Sequence, residues 1–405
     1  MSKASQGSLH CRQSTLHGAR KLLDRTFGSG KGASAAFAPG RVNIIGEHTD
    51  YNDGWVLPFA TQLGAAVAVR RIPQRRLRIV SDAFEEALDR PWPQEPDEKD
   101  RNSWTAHLAG VVWAHRDAVP DSLGLEIAVT STIPIGAGMS SSAAVGVALS
   151  LALERLLGLS AEDAKIIRRC QDAESGFAGA RTGVLDQSAS LLCRHGNAML
   201  LDVRDMVHTH IPVDDGVFTW VAIDSGQPRR LAASGYNDRR DECREAVRAI
   251  RKALPGDRVV GSLRDLSLED LSVAETSVPH RLLDRARHVV EENARVLRAR
   301  KALEARDPDA LGKLLSASHA SLRDRYDAST PQIDRLVELG LEEGAYGARI
   351  MGGCFGGVTL HLVVAEMLES YVKKLLATYT RETGLRGTAM PVRPSSGGRE
   401  CFEEG

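Results

Sequence analysis

The chain has little of several things that would signal a special environment. Cysteine is sparse: six in 405 residues, at Cys11, Cys170, Cys193, Cys243, Cys354 and Cys401, with no C-x-x-C pair and no histidine at metal-ligand spacing. That argues against a disulfide scaffold and a zinc module, and reduced thiols in the cytosol are expected. Long hydrophobic runs are missing. The longest nearly apolar stretch, AAVGVALSLAL (143–153), is too short to cross a bilayer and reads as a buried helix. The first residues, MSKASQGSLHCRQ, are polar and lack the apolar segment of a secretory leader. A cytoplasmic protein with no membrane partner is expected. Neither sign of charge dominates: 52 Lys and Arg against 53 Asp and Glu leave a formal net charge of −1, so there is no electrostatic case for a nucleic-acid partner. The locally basic run VRRIPQRRLR (69–78) reads as a solvated strand edge.

What is present is an ordinary globular balance, 42% apolar and 26% charged, with length for about two domains. A boundary is expected near 205–225, around VDDG, giving domains 1–212 and 213–405. Residues 7–30 suggest an amphipathic helix closed by Gly-Ser-Gly. RNSWTAHLAGVVWAHR (101–116) reads as helical, and PWPQEPDEKDRN (91–102) as a polar loop. LGLEIAVTST (123–132) puts Leu123, Leu125, Ile127 and Val129 on one face at a two-residue period, a strand. The second half carries charged helical text at NDRRDECREAVRAIRKAL and across 279–326. A mixed strand-and-loop segment and a helix near 364–380 follow.

Four local arrangements carry chemistry. In GRVNIIGEHTDYNDG (40–54), Val42, Ile44 and Ile45 imply burial, yet Arg41, Glu47, His48 and Asp50 crowd the same stretch. Such groups must be solvated, paired or facing a ligand. In TSTIPIGAGMSSSAAVGVALSLAL (130–153), a strand ends at Pro134, Gly136 and Gly138 permit a tight turn, and three serines open an apolar helix. Free N–H groups at a helix start favour a phosphate; a serine-capped core helix explains the same residues. The segment is neither a Walker A loop nor a G-x-G-x-x-G fingerprint, and GSGKGAS (28–34) fails the former at its spacing. In LSAEDAKIIRRCQDAESGF, Ser160 reads as an N-cap with Asp163 three residues on. Ile167, Cys170, Glu174 and Phe177 share one face, so Glu174 needs a cation or hydrogen-bond donors, with Mg²⁺ one candidate and a structural arginine another. Asp186, in TGVLDQS, reads as an N-cap or a catalytic carboxylate. Five glycines in YGARIMGGCFGG (346–357) suggest backbone packed tightly against a loop or ligand, or a plain bulge.

Together these segments resemble the GHMP family of sugar and metabolite kinases, and within it the galactokinases. GRVNIIGEHTDYNDGWVLP resembles their signature, PIGAGMSSSAA the phosphate loop and YGARIMGGCFGGVTL the third motif. AESGFAGARTGVLDQSAS, DSGQPRRLAASGYNDRRDEC, SHASLRDRYDASTPQID and RPSSGG are also similar. The resemblance runs from about residue 34 to the end. It implies a two-domain α+β fold, with an N-terminal ribosomal-protein-S5-like domain, a C-terminal ferredoxin-like domain with added helices, and the active site between them. The implied reaction moves the γ-phosphoryl of ATP to the anomeric hydroxyl of galactose.

Carried over residue by residue, the resemblance makes Asp186 the catalytic carboxylate and Arg41 its charged neighbour. Glu47, His48, Asp50, Gly183 and Tyr236, with Arg41 and Asp186, would hold the sugar. The ATP loop would be Gly136, Ala137, Gly138, Met139, Ser140, Ser141, Ser142, Ala143, Ala144 and Val145. Ser142 and Glu174 would ligate Mg²⁺, and Trp104 would lie near adenine or pack in the core. Sugar and ATP are then the partners, and a monomer is expected. Met351 and Cys354 stand where the family has threonine and glycine, and Arg181 where it has proline. If position 354 needs a positive φ, cysteine strains it. Two other readings fit the same residues: a 1-kinase for N-acetylgalactosamine or arabinose, and a non-catalytic galactose sensor. The intact SSSAAVG argues against the sensor.

Overall fold

The computed structural model describes residues 3–92, 101, 103–120, 122–213, 216–227, 235–256 and 258–403. Helix α1 (Lys3–Phe27) stops at Gly28-Ser29-Gly30, and β1 (Ser34–Asn43) follows. A turn with a short 3-10 segment at Asp50–Asn52 leads to β2 (Trp55–Val56), β3 (Pro58–Ile72), β4 (Arg76–Ser81) and β5 (Leu88–Pro91). Next come α2 (Ala106–Ala114), β6 (Gly124–Ser131), α3 (Ser141–Leu157), α4 (Asp163–Gly176), α5 (Leu185–Leu192), β7 (Asn197–Asp202) and β8 (Val207–Pro212).

Five of these strands lie in the order β1-β3-β6-β4-β5, with β4 parallel to β6 and the other pairs antiparallel. A small sheet, β2-β7-β8, stands beside them. Leu125, Ile127 and Val129 of β6 enter one apolar core with α2, α3 and α4. The opposite face is buried too: Ala128 packs under α1, and Thr130 donates to the Thr15 carbonyl at 2.9 Å. Simple alternation therefore understates the burial of this strand.

The second half contains β9 (Phe218–Asp224), α6 (Tyr236–Ala253), α7 (Leu268–Ala274), α8 (His280–Glu304), α9 (Pro308–Asp324), α10 (Pro331–Glu342), β10 (Gly347–Met351), β11 (Val358–Val364), α11 (Leu368–Thr383), β12 (Thr388–Val392) and α12 (Gly398–Glu403). Its sheet is antiparallel throughout, in the order β10-β11-β9-β12. A shared core joins the halves: Val42, Ile44 and Ile45 pack with Val296 and Ala299 of α8 and with Met351. The chain also returns to its first half. Ser395 bridges Ala60, and Arg399 bonds Asp163 at 2.8 Å.

Several expectations change. The basic run is not a strand edge, because β3 and β4 are both interior strands. Arg70 is buried and bonds Glu126 at 2.7 Å, and Arg78 reaches the same carboxylate at 2.6 Å. A buried acid one strand away draws these cations in. Ser160 does not cap α4, which starts at Asp163 behind Glu162. The 101–116 helix forms only over Ala106–Ala114. Residues 93–100 and 102 of the expected polar loop lie outside the described residues. The charged passage from 279 breaks into α8 and α9 where Asp307 caps Ala310 at 2.9 Å and Pro308 takes the first helical position. All six cysteines are free thiols. Among the described residues no helix is long and apolar enough to cross a membrane.

Candidate active site

Two adjoining cavities share Arg41, Asp186 and Gly353 in their walls. The first, about 140 Å³, is lined by Gly136–Ser142 together with Glu174. The second is smaller and is lined by Glu47, His48, Asp50, Thr182, Tyr236 and Gly352, among others.

Asp186 stands at the junction, in the first turn of α5 and behind Val184 rather than as an N-cap. Arg41, near the end of β1, grips it with Nε at 2.8 Å and Nη2 at 2.6 Å, both to Oδ1. The other oxygen, Oδ2, accepts from Ser140 at 2.5 Å. Arg41 Nη1 also donates to the Gly138 carbonyl at 2.7 Å. One guanidinium thus joins the acid to the glycine loop, a geometry a lysine cannot copy. Arg41 is 4% exposed and the Asp186 side chain 22%, so the acid keeps one open side.

The loop itself is backbone-rich. Gly136 and Gly138 take φ of 79° and 63°, and Ser140 takes 57°. Ser140 precedes α3 but makes no side-chain cap, because its hydroxyl goes to Asp186. The first free amide to close a helical bond is Ala144, onto the Ser140 carbonyl at 3.0 Å. The amides of Ser141, Ser142 and Ala143 precede that bond and stand at the positive end of the helix, where an anion is favoured. Ala143, Ala144 and Val145 do not line the cavity; Ala143 and Ala144 are buried and Val145 packs against the core.

Glu174 is buried, and its partner is not an arginine. Ser142 Oγ lies 3.1 Å from Oε1, while Thr182 Oγ1 at 2.6 Å and Gln187 Nε2 at 2.7 Å hold Oε2. Burial, helped by the negative charge of Asp186, pushes its pKa up to about 7. A cation in the cavity shared by Ser142, Glu174 and Asp186 would relieve that cost. Hard oxygen donors suit Mg²⁺, which takes few protein ligands and keeps waters and phosphates; the donor set fits.

On the other side, Glu47 is pinned by Arg349 at 3.0 Å and by the Gly352 amide at 3.0 Å. His48 takes φ of 61° and leans on Tyr236 and Tyr326, with ring centroids 5.3 and 4.7 Å away. Asp50 accepts from the Tyr51 amide at 2.9 Å. Burial, with a smaller push from Asp186, raises its pKa to about 6. Gly183 has a plain steric reason: a Cβ there would lie 1.9 Å from Asp50 Oδ2. Tyr236 opens α6 and reaches the cavity from the second half.

Sequence reasoning missed the supports. Arg349 is fully buried in β10 and also bonds the Asn43 and Ile44 carbonyls; a charged residue inside an apolar strand was the available signal. Thr182 and Gln187 gave none. The glycine cluster of 346–357 ends in a loop, not a bulge: Gly352, Cys354, Phe355, Gly356 and Gly357 all take positive φ. Cys354 does sit at φ of 61°, a strained place for cysteine. Met351 is core. Arg181 turns away from the sugar-side cavity to fork onto Asp241 at 2.7 and 2.9 Å. Trp104 stacks on Phe84 at 4.9 Å and lines neither cavity. Part of the DSGQPRRLAASGYNDRRDEC segment, 228–234, lies outside the described residues.

Comparison with known proteins supplies family context. The galactokinase galactose-binding signature matches residues 22–71, the GHMP kinases N-terminal domain 106–194 and the GHMP kinases C-terminal region 299–374. A galactokinase of a Roseiflexus species is 40% identical over 362 residues, 89% of this chain and 91% of that protein. One from Chloroflexus aggregans is 39% identical over 374 residues, 92% and 93% of the two chains. The structure of Lactococcus lactis galactokinase complexed with galactose superposes with a TM-score of 0.86 at 29% identity, covering 93% of this chain and 97% of that one. Methanococcus jannaschii mevalonate kinase shares the fold, with a TM-score of 0.63 at 15% identity over 90% and 99% of the chains.

Proposed function

The chain belongs to the galactokinases of the GHMP kinase family, and from that membership and the site geometry we propose that it phosphorylates galactose at C1 with ATP. The observation that carries this reading is the position of Asp186. It stands where the two cavities meet, fixed by Arg41 from β1 and by Ser140 from the glycine loop.

Phosphoryl transfer needs little beyond alignment and neutralisation of spreading charge. Glu47, His48, Asp50, Gly183 and Tyr236 bind the sugar and present its C1 hydroxyl to Asp186, which accepts or orients the proton. Arg41 fixes the Asp186 carboxylate through two contacts and places positive charge beside the transferring group. The amides of Ser141, Ser142 and Ala143, with the loop from Gly136, cradle the ATP phosphates. Ser142 and Glu174 would hold Mg²⁺, which when bound would neutralise charge on the phosphates. The lobes divide near residue 212, and the enzyme works as a cytoplasmic monomer.

The test is ADP release with Mg²⁺-ATP across galactose, N-acetylgalactosamine, arabinose and glucose, with Asp186→Ala as control. Turnover with galactose above the others is the expected result. No turnover with any hexose on folded protein sinks the proposal, as does full activity in the control.

A further inference from the structure

His48 lines the sugar-side cavity, but its Nδ1 faces inward, 2.7 Å from Tyr51 Oη. Tyr51 Oη is 2.9 Å from Tyr326 Oη, and Tyr326 Oη is 3.0 Å from Cys243 Sγ. Behind the sulfur stands Asn52 Nδ2 at 3.6 Å. The same Nδ2 bonds the His48 carbonyl at 2.9 Å, which identifies it as the amide nitrogen. Tyr51, Tyr326 and Cys243 do not line the sugar-side cavity. A chain of hydrogen bonds thus runs from the buried core to one imidazole.

The chain has a direction. An amide NH₂ only donates, so the sulfur accepts at that end and its own proton turns to Tyr326 Oη. Tyr326 then donates to Tyr51, and Tyr51 donates to His48 Nδ1. Reversing every bond would make the sulfur accept twice and strand its proton. Burial holds both phenols well above their ordinary pKa and pushes the thiol up to about 11, so each link keeps its proton. The relay is also held in place. Arg239 Nε bonds the Tyr326 carbonyl at 2.7 Å, and the Tyr326 ring lies against the imidazole.

We propose that Tyr51, Tyr326 and Cys243 are positioning residues that hold His48 as its Nε2-protonated tautomer, so that it offers the sugar a hydrogen-bond donor among carboxylate acceptors. The inference rests on His48 as a sugar contact. Glu47 and Asp50 can only accept when ionised. A hydroxyl meeting Glu47, His48 and Asp50 finds both a donor and acceptors, and the relay makes His48 the donor of the three. A free imidazole would exchange between tautomers and offer the donor only part of the time.

The test uses the full-length protein with ¹⁵N-labelled histidine, the His48 signal being assigned by its loss in His48→Ala. The Nε2-protonated pattern is expected in the parent protein and a mixed pattern in Tyr51→Phe. The galactose KM should rise about tenfold in Tyr51→Phe and about threefold in Tyr326→Phe and Cys243→Ala, the ATP KM staying put as the check on folding. In a His48→Ala background, Tyr326→Phe should add nothing further. An Nδ1-protonated His48 in the parent protein overturns the proposal. So does a Tyr326→Phe effect of equal size without His48, which would mark plain packing. If His48→Ala itself leaves the galactose KM unchanged, the sugar-contact reading has failed, while the tautomer still decides the relay.

Discussion

The two sides of the cleft are built from different materials. The phosphate side is mostly backbone: Gly136 to Ser142 form one short stretch of turn and helix start. The sugar side is mostly side chain, assembled from Glu47, His48, Asp50, Thr182, Leu185, Tyr236 and Gly352-Gly353. A polyphosphate is recognised by charge and by N–H groups that any small residue supplies. A sugar is recognised by the placement of individual donors and acceptors, so each must be fixed by a partner behind it. Glu47 has Arg349 and the Gly352 amide, His48 has Tyr51, and Asp50 has its own turn. Asp186 and Arg41 belong to both sides.

That division can be broken at its seam. Asp186→Ala should lower kcat by at least about 100-fold, the scale of a lost acid–base group, because it also leaves Arg41 without its carboxylate. Galactose and ATP binding, measured separately by calorimetry, should survive in part. Loss of both with no change in turnover per bound complex would contradict the assignment.

Next in size is Gly183→Ala. Its Cβ would lie 1.9 Å from Asp50 Oδ2, so Asp50 must move. We expect the galactose KM to rise by at least about tenfold, with ATP affinity within about twofold of the parent. Gly138→Ala should do the opposite. It forces alanine to φ near 63°, at a cost of about 1–2 kcal/mol, and should weaken ATP about tenfold while sparing the sugar. Equal effects of either change on both substrates would erase the distinction between the two sides.

The smallest effect is a proton. The Glu174 pKa is raised to about 7, above its unfolded value. The folded, unliganded protein therefore binds more protons than the unfolded chain between about pH 4 and 7, and this group costs stability as pH rises through that window. Binding of Mg²⁺-ATP favours the ionised form. Calorimetry in buffers of differing ionisation enthalpy near pH 6 should show release of a fraction of a proton, reduced in Glu174→Gln. Identical proton release in that variant would remove Glu174 from the metal site.

How much of this was readable beforehand follows the same division. The glycine–serine loop is contiguous, and its turn chemistry and helix start are local properties, so the segment announced itself. Arg41, Glu47, His48 and Asp50 were conspicuous because they sit beside Val42, Ile44 and Ile45. The local text assigns Ser140 to the phosphate cradle, and nothing in it signals the bond to Asp186 across 46 residues. The basic run misled because Glu126, which buries Arg70, lies 56 residues away and reads as one polar position in a strand. Ser160 misled because a capping pattern is common in text and α4 begins elsewhere.

By itself the sequence determined the class of chemistry: an anion-binding helix start, a crowd of sugar-compatible polar groups beside a core, and an aspartate after a glycine turn. These depend on residue type and short spacing, which the chain states directly. Only the tertiary structure decided which groups meet. Arg41 reaches Asp186 across 145 positions, Gly352 meets Glu47 across 305, and Tyr326 joins Tyr51 across 275. Contacts at such separations exist only once the two sheets and the helices between them have packed, because packing alone brings distant segments within a hydrogen-bond length.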